Sequence, residues 1–278
     1  MPDLRWLLVR IPVLLAVTVM LARCDDTGVA PFQESDFNYS IAGFLDGGID
    51  TQFVRVTPVR DSIALAPGPL DATVTLEHLA SGQKTTWKDS VFLYQAAGEP
   101  VPNIGHNFWS AEPLEPLASY RLSVSRSDGA MSWATVTLPD TFPMPRIEAN
   151  TIKIRGIERL ADVVVEYRIQ ELIGGIIVTK TISYLPEVFA IQDEWWVRVD
   201  RQADQNEVSL RFFGVPTQIL SIKVTVAAAG PDWPDLTAIN DQTLALPNIV
   251  SNVEEGIGFL GGIISRTFFW PGFEGTRE

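Results

Sequence analysis

The chain has 278 residues, of which 46% are hydrophobic and 20% are charged, and this is a globular composition that excludes a disordered or coiled-coil protein. Its 34 acidic and 21 basic side chains give a formal net charge of −13, which argues against a nucleic-acid partner because phosphate binding depends on clustered Lys and Arg. One cysteine excludes an internal disulfide and any Cys-rich metal site.

The first two dozen residues have the features of an export signal. Arg5 precedes an apolar run, Trp6 to Ala22, that only Arg10 interrupts. The uninterrupted part, Ile11 to Ala22, is shorter than the roughly 20 residues that a permanent membrane helix needs. A cleaved signal peptide over residues 1–23 is therefore favoured, and an uncleaved signal anchor is the alternative.

Cys24 follows this run directly, in Leu21-Ala22-Arg23-Cys24. The arrangement resembles the lipobox of bacterial lipoprotein precursors and departs from it at Arg23, where that pattern has Gly, Ala or Ser. The resemblance implies lipid attachment at Cys24 and a tether over residues 24–35. It also implies a cell-envelope location. The outer membrane is favoured over the inner one, and inner-membrane retention, which an Asp directly after the cysteine such as Asp25 can signal in some bacterial lipoproteins, is the alternative. An ordinary cysteine in a signal helix is the alternative.

From Phe37 onward, short alternating runs rich in β-branched and aromatic residues predict an antiparallel all-β protein. The dipeptides Ser81-Gly82, Asp128-Gly129 and Gly174-Gly175 predict three tight hairpins, because glycine readily adopts the positive φ that such turns need. The segment Thr141 to Pro145 holds two prolines, which cannot donate hydrogen bonds to a sheet. We take this segment as a domain boundary.

The predicted architecture is an immunoglobulin-like antiparallel β-sandwich over residues 36–140, followed by a second β-rich domain over residues 141–278. Strands of the second domain are predicted near Thr151–Arg155, Val163–Ile169, Ile176–Tyr184, Trp195–Asp200, Val208–Phe213 and Ile219–Ala227.

Residues with catalytic potential are few. His78 lies in an alternating strand and His106 in a predicted loop, and neither has a second histidine at metal-ligand spacing. The sequence contains no His-Glu-x-x-His motif and no Gly-x-Ser-x-Gly elbow. We therefore predict a non-enzymatic protein without a cofactor or a metal site.

One segment, Gly256 to Gly261, matches the dinucleotide-binding pattern G-x-G-x-x-G. The context argues against that function, since Glu254 and Glu255 precede it and no βαβ unit surrounds it. We predict instead a structural strand of the second domain, packed so closely that side chains are excluded at the glycines. Truncation at Ser251 is then expected to unfold the second domain and leave the first.

Three tryptophans are candidate ligand or partner contacts. Trp195 and Trp196 are adjacent, so in a strand they point to opposite faces and cannot both enter one core. Trp233 lies between Pro231 and Pro234 in a rigid loop. An exposed Trp on such a loop suits stacking on sugar rings or on a partner protein. Core packing, or a lid over the end of the sandwich, is the alternative.

Several segments together resemble the uncharacterised bacterial surface lipoproteins of domain-of-unknown-function family 4249. The matching features are Cys24, the strand pair Ser40–Phe44 and Phe53–Val56, the runs Asp71–Leu76 and Ala118–Val124 with Asp128-Gly129, and Asn252–Gly261. Members are often encoded beside TonB-dependent outer-membrane receptors, so the resemblance implies an accessory role in the periplasm or at the cell surface.

Two functional hypotheses follow. The first is a non-enzymatic, lipid-anchored envelope protein that binds a partner protein, such as an outer-membrane receptor, or an extracellular ligand. The second is a glycan- or nutrient-binding accessory of a TonB-dependent outer-membrane transporter. Both place the chain at a membrane through its N-terminal lipid, and neither involves nucleic acid.

Overall fold

The structure is a computed structural model and describes residues 37–59, 70–94, 103–184, 188–191, 193–211, 215–234 and 250–274. Strands form most of this part of the chain. The all-β prediction is confirmed. The predicted signal peptide, Cys24 and the tether lie outside the described residues. The strands are β1 (Tyr39–Asp46), β2 (Gln52–Pro58), β3 (Thr73–His78), β4 (Lys84–Thr86), β5 (Lys88–Tyr94), β6 (Asn103–Ser110), β7 (Ser119–Ser125), β8 (Met131–Thr137), β9 (Arg146–Glu148), β10 (Thr151–Arg155), β11 (Leu160–Glu171), β12 (Ile177–Ser183), β13 (Val188–Ile191), β14 (Glu194–Arg198), β15 (Thr217–Ala229), β16 (Val253–Glu254) and β17 (Gly256–Phe269), and a helix, α1, spans Arg201–Arg211.

The described strands form three sheets. The largest has eight strands in the order β12-β11-β15-β17-β1-β2-β6-β5. Five strands in the order β16-β8-β7-β3-β4 form a second sheet, and four in the order β13-β14-β10-β9 form a third. Neighbouring strands are antiparallel except β1 and β17, which run parallel with Tyr39 opposite Gly256 and Asp46 opposite Ile263.

The first hydrophobic core lies between the five-stranded sheet and the β1, β2 and β6 part of the large sheet. Alternation directs every second side chain of these strands inward, as in β2, where Gln52, Val54 and Val56 are buried. The apolar side chains that fill this core include Tyr39, Ile41, Leu45, Val54, Val56, Val74, Leu76, Phe108, Tyr120, Leu122, Val124, Ala134, Val136 and Leu138.

The second core lies between the four-stranded sheet and the β11, β15 and β17 part of the large sheet. Its buried side chains include Phe142, Ile152, Ile154, Val163, Val165, Tyr167, Ile169, Val197, Val199, Ile222, Val224, Val226, Ile264 and Trp270. Each core thus has one half of the large sheet as a wall.

The chain passes from the first core to the second near the predicted boundary, since Leu138 belongs to the first core and Phe142 to the second. The large sheet nevertheless continues across it. The reason is that β17 returns from the C-terminal part of the chain and inserts between β15 and β1. It supplies Leu260 to the first core and Ile264 to the second.

The three predicted hairpins are confirmed. Gly82, Gly129 and Gly175 have φ values of 70°, 92° and 69°, and each turn joins antiparallel strands. The strand predicted near Val208–Phe213 is wrong, because α1 covers Val208 to Arg211. The Asp200 carboxylate caps the start of the helix by accepting a hydrogen bond from the Ala203 N–H at 3.0 Å. The alternation of apolar residues, on which the strand prediction was based, does not take such a cap into account.

The Gly-rich segment is a strand packed as closely as predicted, but it serves both halves of the fold and not the second alone. A Cβ atom at Gly256 would lie 2.5 Å from the Tyr39 carbonyl oxygen, and one at Gly262 would lie 2.6 Å from the Thr137 carbonyl oxygen. Both oxygens belong to strands that build the first core. This packing favours loss of both cores on truncation at Ser251, in place of the expectation that the first domain is spared.

Candidate functional site

The face of the large sheet that points away from both cores carries a row of aromatic rings. Phe44 of β1 pairs in register with Phe53 of β2, and Phe53 pairs with Trp109 of β6. Neighbouring strands are about 4.8 Å apart, so these three side chains form a continuous line across the sheet. Phe44 is 49% exposed and Phe53 is 53% exposed.

Trp233 extends this line beyond β1. On the far side of Phe44, the residue in register on β17 is Gly261, and the Trp233 ring occupies the space that a side chain there would fill. The ring stacks on Phe44 at 5.6 Å between centroids and meets Phe259 edge-on at 5.4 Å. We call Trp109, Phe53, Phe44 and Trp233 the aromatic row.

The loop that carries Trp233 is held in place by hydrogen bonds. An Arg159 guanidinium nitrogen donates to the carbonyl oxygens of Pro231 and Trp233 at 2.9 and 2.6 Å. The Asp232 carboxylate accepts from the Thr137 N–H at 2.8 Å. These three contacts anchor the loop to β8 and to Arg159, and the loop places the Trp233 indole on the sheet face.

Two cations accompany the rings. Lys88 lies over Trp109 with its Nζ 5.2 Å from the ring centroid, and the Arg55 guanidinium carbon lies 5.2 Å from the centroid of Phe92. Among the described outward positions of β1, β2, β5, β6 and β17, one carries a carboxylate, Asp46. It is buried and accepts hydrogen bonds from the backbone N–H groups of Gly48 and Ser265 at 2.7 and 2.9 Å.

A second, polar row lies beside the Trp109 and Phe53 end of the aromatic row, two residues away along β6 and β2, and continues onto β5. Ser90 pairs with Asn107, and Asn107 pairs with Arg55. Ser90 and Arg55 are exposed and Asn107 is half-buried. We call Ser90, Asn107 and Arg55 the polar row. The surface therefore combines flat apolar rings with hydrogen-bonding groups and positive charge.

The other two predicted tryptophans lie elsewhere. Trp195 packs against the second core and donates to the Ile157 carbonyl oxygen at 3.3 Å. Trp196 points to the opposite face of β14, as predicted, and Lys153 Nζ lies 4.5 Å from its ring centroid. Its indole N–H donates to Glu194 at 2.8 Å.

Glu194 also accepts a hydrogen bond from Arg155 at 2.6 Å. Burial alone raises the pKa of this carboxyl, but the donors Trp196 and Arg155 outweigh it and lower the pKa below its ordinary value. Trp196 is therefore part of a charged surface network, separate from the aromatic row.

The histidines lie outside the aromatic row. His106 is buried on the inner face, with Nδ1 2.7 Å from an Asp89 carboxylate oxygen. His78 Nδ1 lies 3.0 Å from the Ser81 hydroxyl. In the part of the chain that the structure describes, no three His, Cys, Asp or Glu side chains converge as a metal site.

A buried carboxylate joins α1 to the second core. Asp204 accepts hydrogen bonds from the hydroxyl groups of Tyr167 and Tyr184, and all three side chains are buried. Burial, followed by the hydrogen bond to Asp204, raises the pKa of both tyrosines far above 10. The hydroxyls are fully engaged, so we regard the cluster as structural.

This cluster makes stability sensitive to alkali. Above about pH 10 the unfolded chain releases the two phenolic protons while the folded chain keeps them, so the free energy of unfolding falls as pH rises. For two groups the limiting slope is about 2.7 kcal/mol per pH unit. Urea unfolding of wild type and Tyr167→Phe from pH 8 to 11 tests this, since the variant should show about half of the pair's slope. A pH-independent stability up to pH 11 would contradict it.

Sequence reasoning missed Phe44, Phe53, Trp109 and the two cations. A signal was present in the sequence of β2. Val54 and Val56 form the buried face of this strand, and Phe53 lies with Arg55 on the opposite face, where polar residues are expected. A strand with apolar residues on both faces in an antiparallel sheet indicates that the second face has its own role.

The chain matches no protein-family model, and no curated protein is significantly similar to it. The resemblance to domain-of-unknown-function family 4249 stays a prediction. Among the described residues, no helix is long and apolar enough to cross a membrane.

Proposed function

We propose that the chain is a non-enzymatic, lipid-anchored protein of the cell envelope that binds a partner protein or an extracellular ligand through the aromatic row. The observation that carries this proposal is the exposure of Phe44 and Phe53 at the centre of the row. Neighbouring exposed aromatic rings that form a contiguous apolar patch often mark a binding surface. The lipid anchor rests on the context of Cys24.

The energetics of the row indicate what kind of ligand it suits. Complete burial of a large apolar side chain contributes about 1.5–3 kcal/mol, so four partly exposed rings offer about 3–6 kcal/mol before the cost of association. A dissociation constant of 1 mM corresponds to about 4.1 kcal/mol, so the row alone supports weak binding. A repetitive ligand, or a partner with further contacts, would reach useful affinity through multivalency.

The second hypothesis, a glycan- or nutrient-binding accessory of a TonB-dependent outer-membrane transporter, has one observation in its favour. The polar row lies directly beside the rings, with Asn107 between Ser90 and Arg55. Sugars need both apolar stacking surface and hydrogen-bonding groups, and the two rows supply them together.

Matched tryptophan variants test the binding role. Wild type, Trp109→Ala and Trp196→Ala are titrated with a panel of soluble polysaccharides and with detergent-solubilised outer-membrane receptors, using calorimetry. We expect a ligand in one panel whose affinity falls about tenfold or more in Trp109→Ala, as for an aromatic anchor of an interface, and is unchanged in Trp196→Ala.

Two results would contradict this function: equal binding by both variants, or no binder in either panel. Metabolic labelling of Cys24 with a fatty acid tests the anchor separately.

A further inference from the structure

We propose that the aromatic row and the polar row together bind an extended acidic polysaccharide that carries uronate carboxylates. This inference rests on the proposed function, because it names the ligand class of the same surface. The aromatic row supplies stacking surface, and the polar row with Lys88 supplies charge and hydrogen bonds.

The charge distribution favours an anionic ligand. The chain as a whole has 34 acidic side chains against 21 basic ones. The described outward positions of β1, β2, β5, β6 and β17 nevertheless hold one carboxylate, the buried Asp46. Around the row, Arg55 and Lys88 are exposed, and each is seated on an aromatic ring with no carboxylate of the described chain within 4.0 Å. The negative net charge of the chain repels an anionic ligand in general, and a local group of cations attracts it to this face.

The seating of Arg55 suits carboxylate recognition. Its guanidinium carbon lies over the Phe92 ring, 5.2 Å from the ring centroid, and the Phe92 ring fills the space above Gly105. A cation–π contact leaves guanidinium N–H donors available, and a guanidinium matches a carboxylate with two parallel hydrogen bonds. A cation held in this way loses little side-chain freedom when it binds.

The shape of the surface favours a polymer of ring-shaped units over a globular partner. The aromatic row crosses β6, β2, β1 and β17, and the polar row follows the same direction one pleat away. A sugar chain laid along this direction stacks its C–H faces on the rings while its hydroxyl and carboxylate edges reach Ser90, Asn107 and Arg55.

The test uses two ligands with the same sugar backbone, one charged and one neutral: polygalacturonate and its fully methyl-esterified form, with alginate as a second uronate polymer. Binding to the full mature chain is measured by calorimetry at low and high NaCl. We expect wild type to bind polygalacturonate at least about tenfold more tightly than the ester, with the difference shrinking as salt screens the charges. The double variant Arg55→Gln/Lys88→Gln should lose this preference and keep the weak binding of the ester.

The control is Lys84→Gln/Arg121→Gln, which removes the same charge from the five-stranded sheet and should behave as wild type. Thermal unfolding of each variant verifies that it is folded. Equal affinity for polygalacturonate and its ester, a preference that survives Arg55→Gln/Lys88→Gln, or no binding of either uronate polymer would overturn the inference. The proposed function would survive those results if Trp109→Ala still abolished binding of a neutral glycan or of a receptor protein.

Discussion

A chain truncated after Ser251 is expected to lose the cooperative unfolding of both cores. The truncation removes β16 and β17, and β17 pairs with β1 on one side and with β15 on the other. It also removes Leu260 from the first core and Ile264 and Trp270 from the second. At about 1.5–3 kcal/mol for each large side chain, the loss reaches about 5–9 kcal/mol, which equals the net stability of many domains.

Urea unfolding followed by circular dichroism measures this effect. The matched control ends at Glu274, so it keeps β17 and should unfold like the full chain. Hydrogen exchange then identifies which half has failed. If β3 and β7 stay protected in the chain that ends at Ser251, the first core is independent of β17, and the role assigned here to that strand is wrong.

The features of this fold that could be predicted from the sequence depend on interactions between residues that are close together in the chain. Hairpins were predictable because Ser81-Gly82, Asp128-Gly129 and Gly174-Gly175 are local turn signals. The parallel pairing of Tyr39 with Gly256 was not, because alternation within a strand says which residues face a core and nothing about which strand lies beside it. The shared sheet follows from that one pairing.

The candidate site was predicted in part for the same reason. Trp233 was singled out by its loop between two prolines, and the structure places it in the aromatic row. Phe44, Phe53 and Trp109 belong to strands that meet only in the folded sheet. Each looks like an isolated surface aromatic in sequence, which carries no functional signal by itself.

Single glycine-to-alanine variants should distinguish two contributions to the free energy of unfolding, the close packing of β1 on β17 and the backbone strain of a positive φ. Gly258 has a φ of 110°, and a Cβ atom there would lie 2.2 Å from the carbonyl oxygen of Ile41, its partner on β1. Gly129 has a similar φ of 92°, but a Cβ atom there meets nothing within 4 Å. Gly129→Ala should therefore lower the free energy of unfolding only by the strain of the positive φ, about 1–2 kcal/mol. Gly258→Ala must also push β1 and β17 apart, and we expect it to cost about 4 kcal/mol or more.

The difference between the two variants measures the close approach of the strands, because the unfavourable φ is common to both. Chemical denaturation at one temperature gives both free energies of unfolding, and the m-value checks that each variant unfolds in one step. A difference below about 1 kcal/mol would mean that β1 and β17 separate at little cost. The glycines of β17 would then be explained by backbone conformation alone, and not by the contact that joins the two halves of the large sheet.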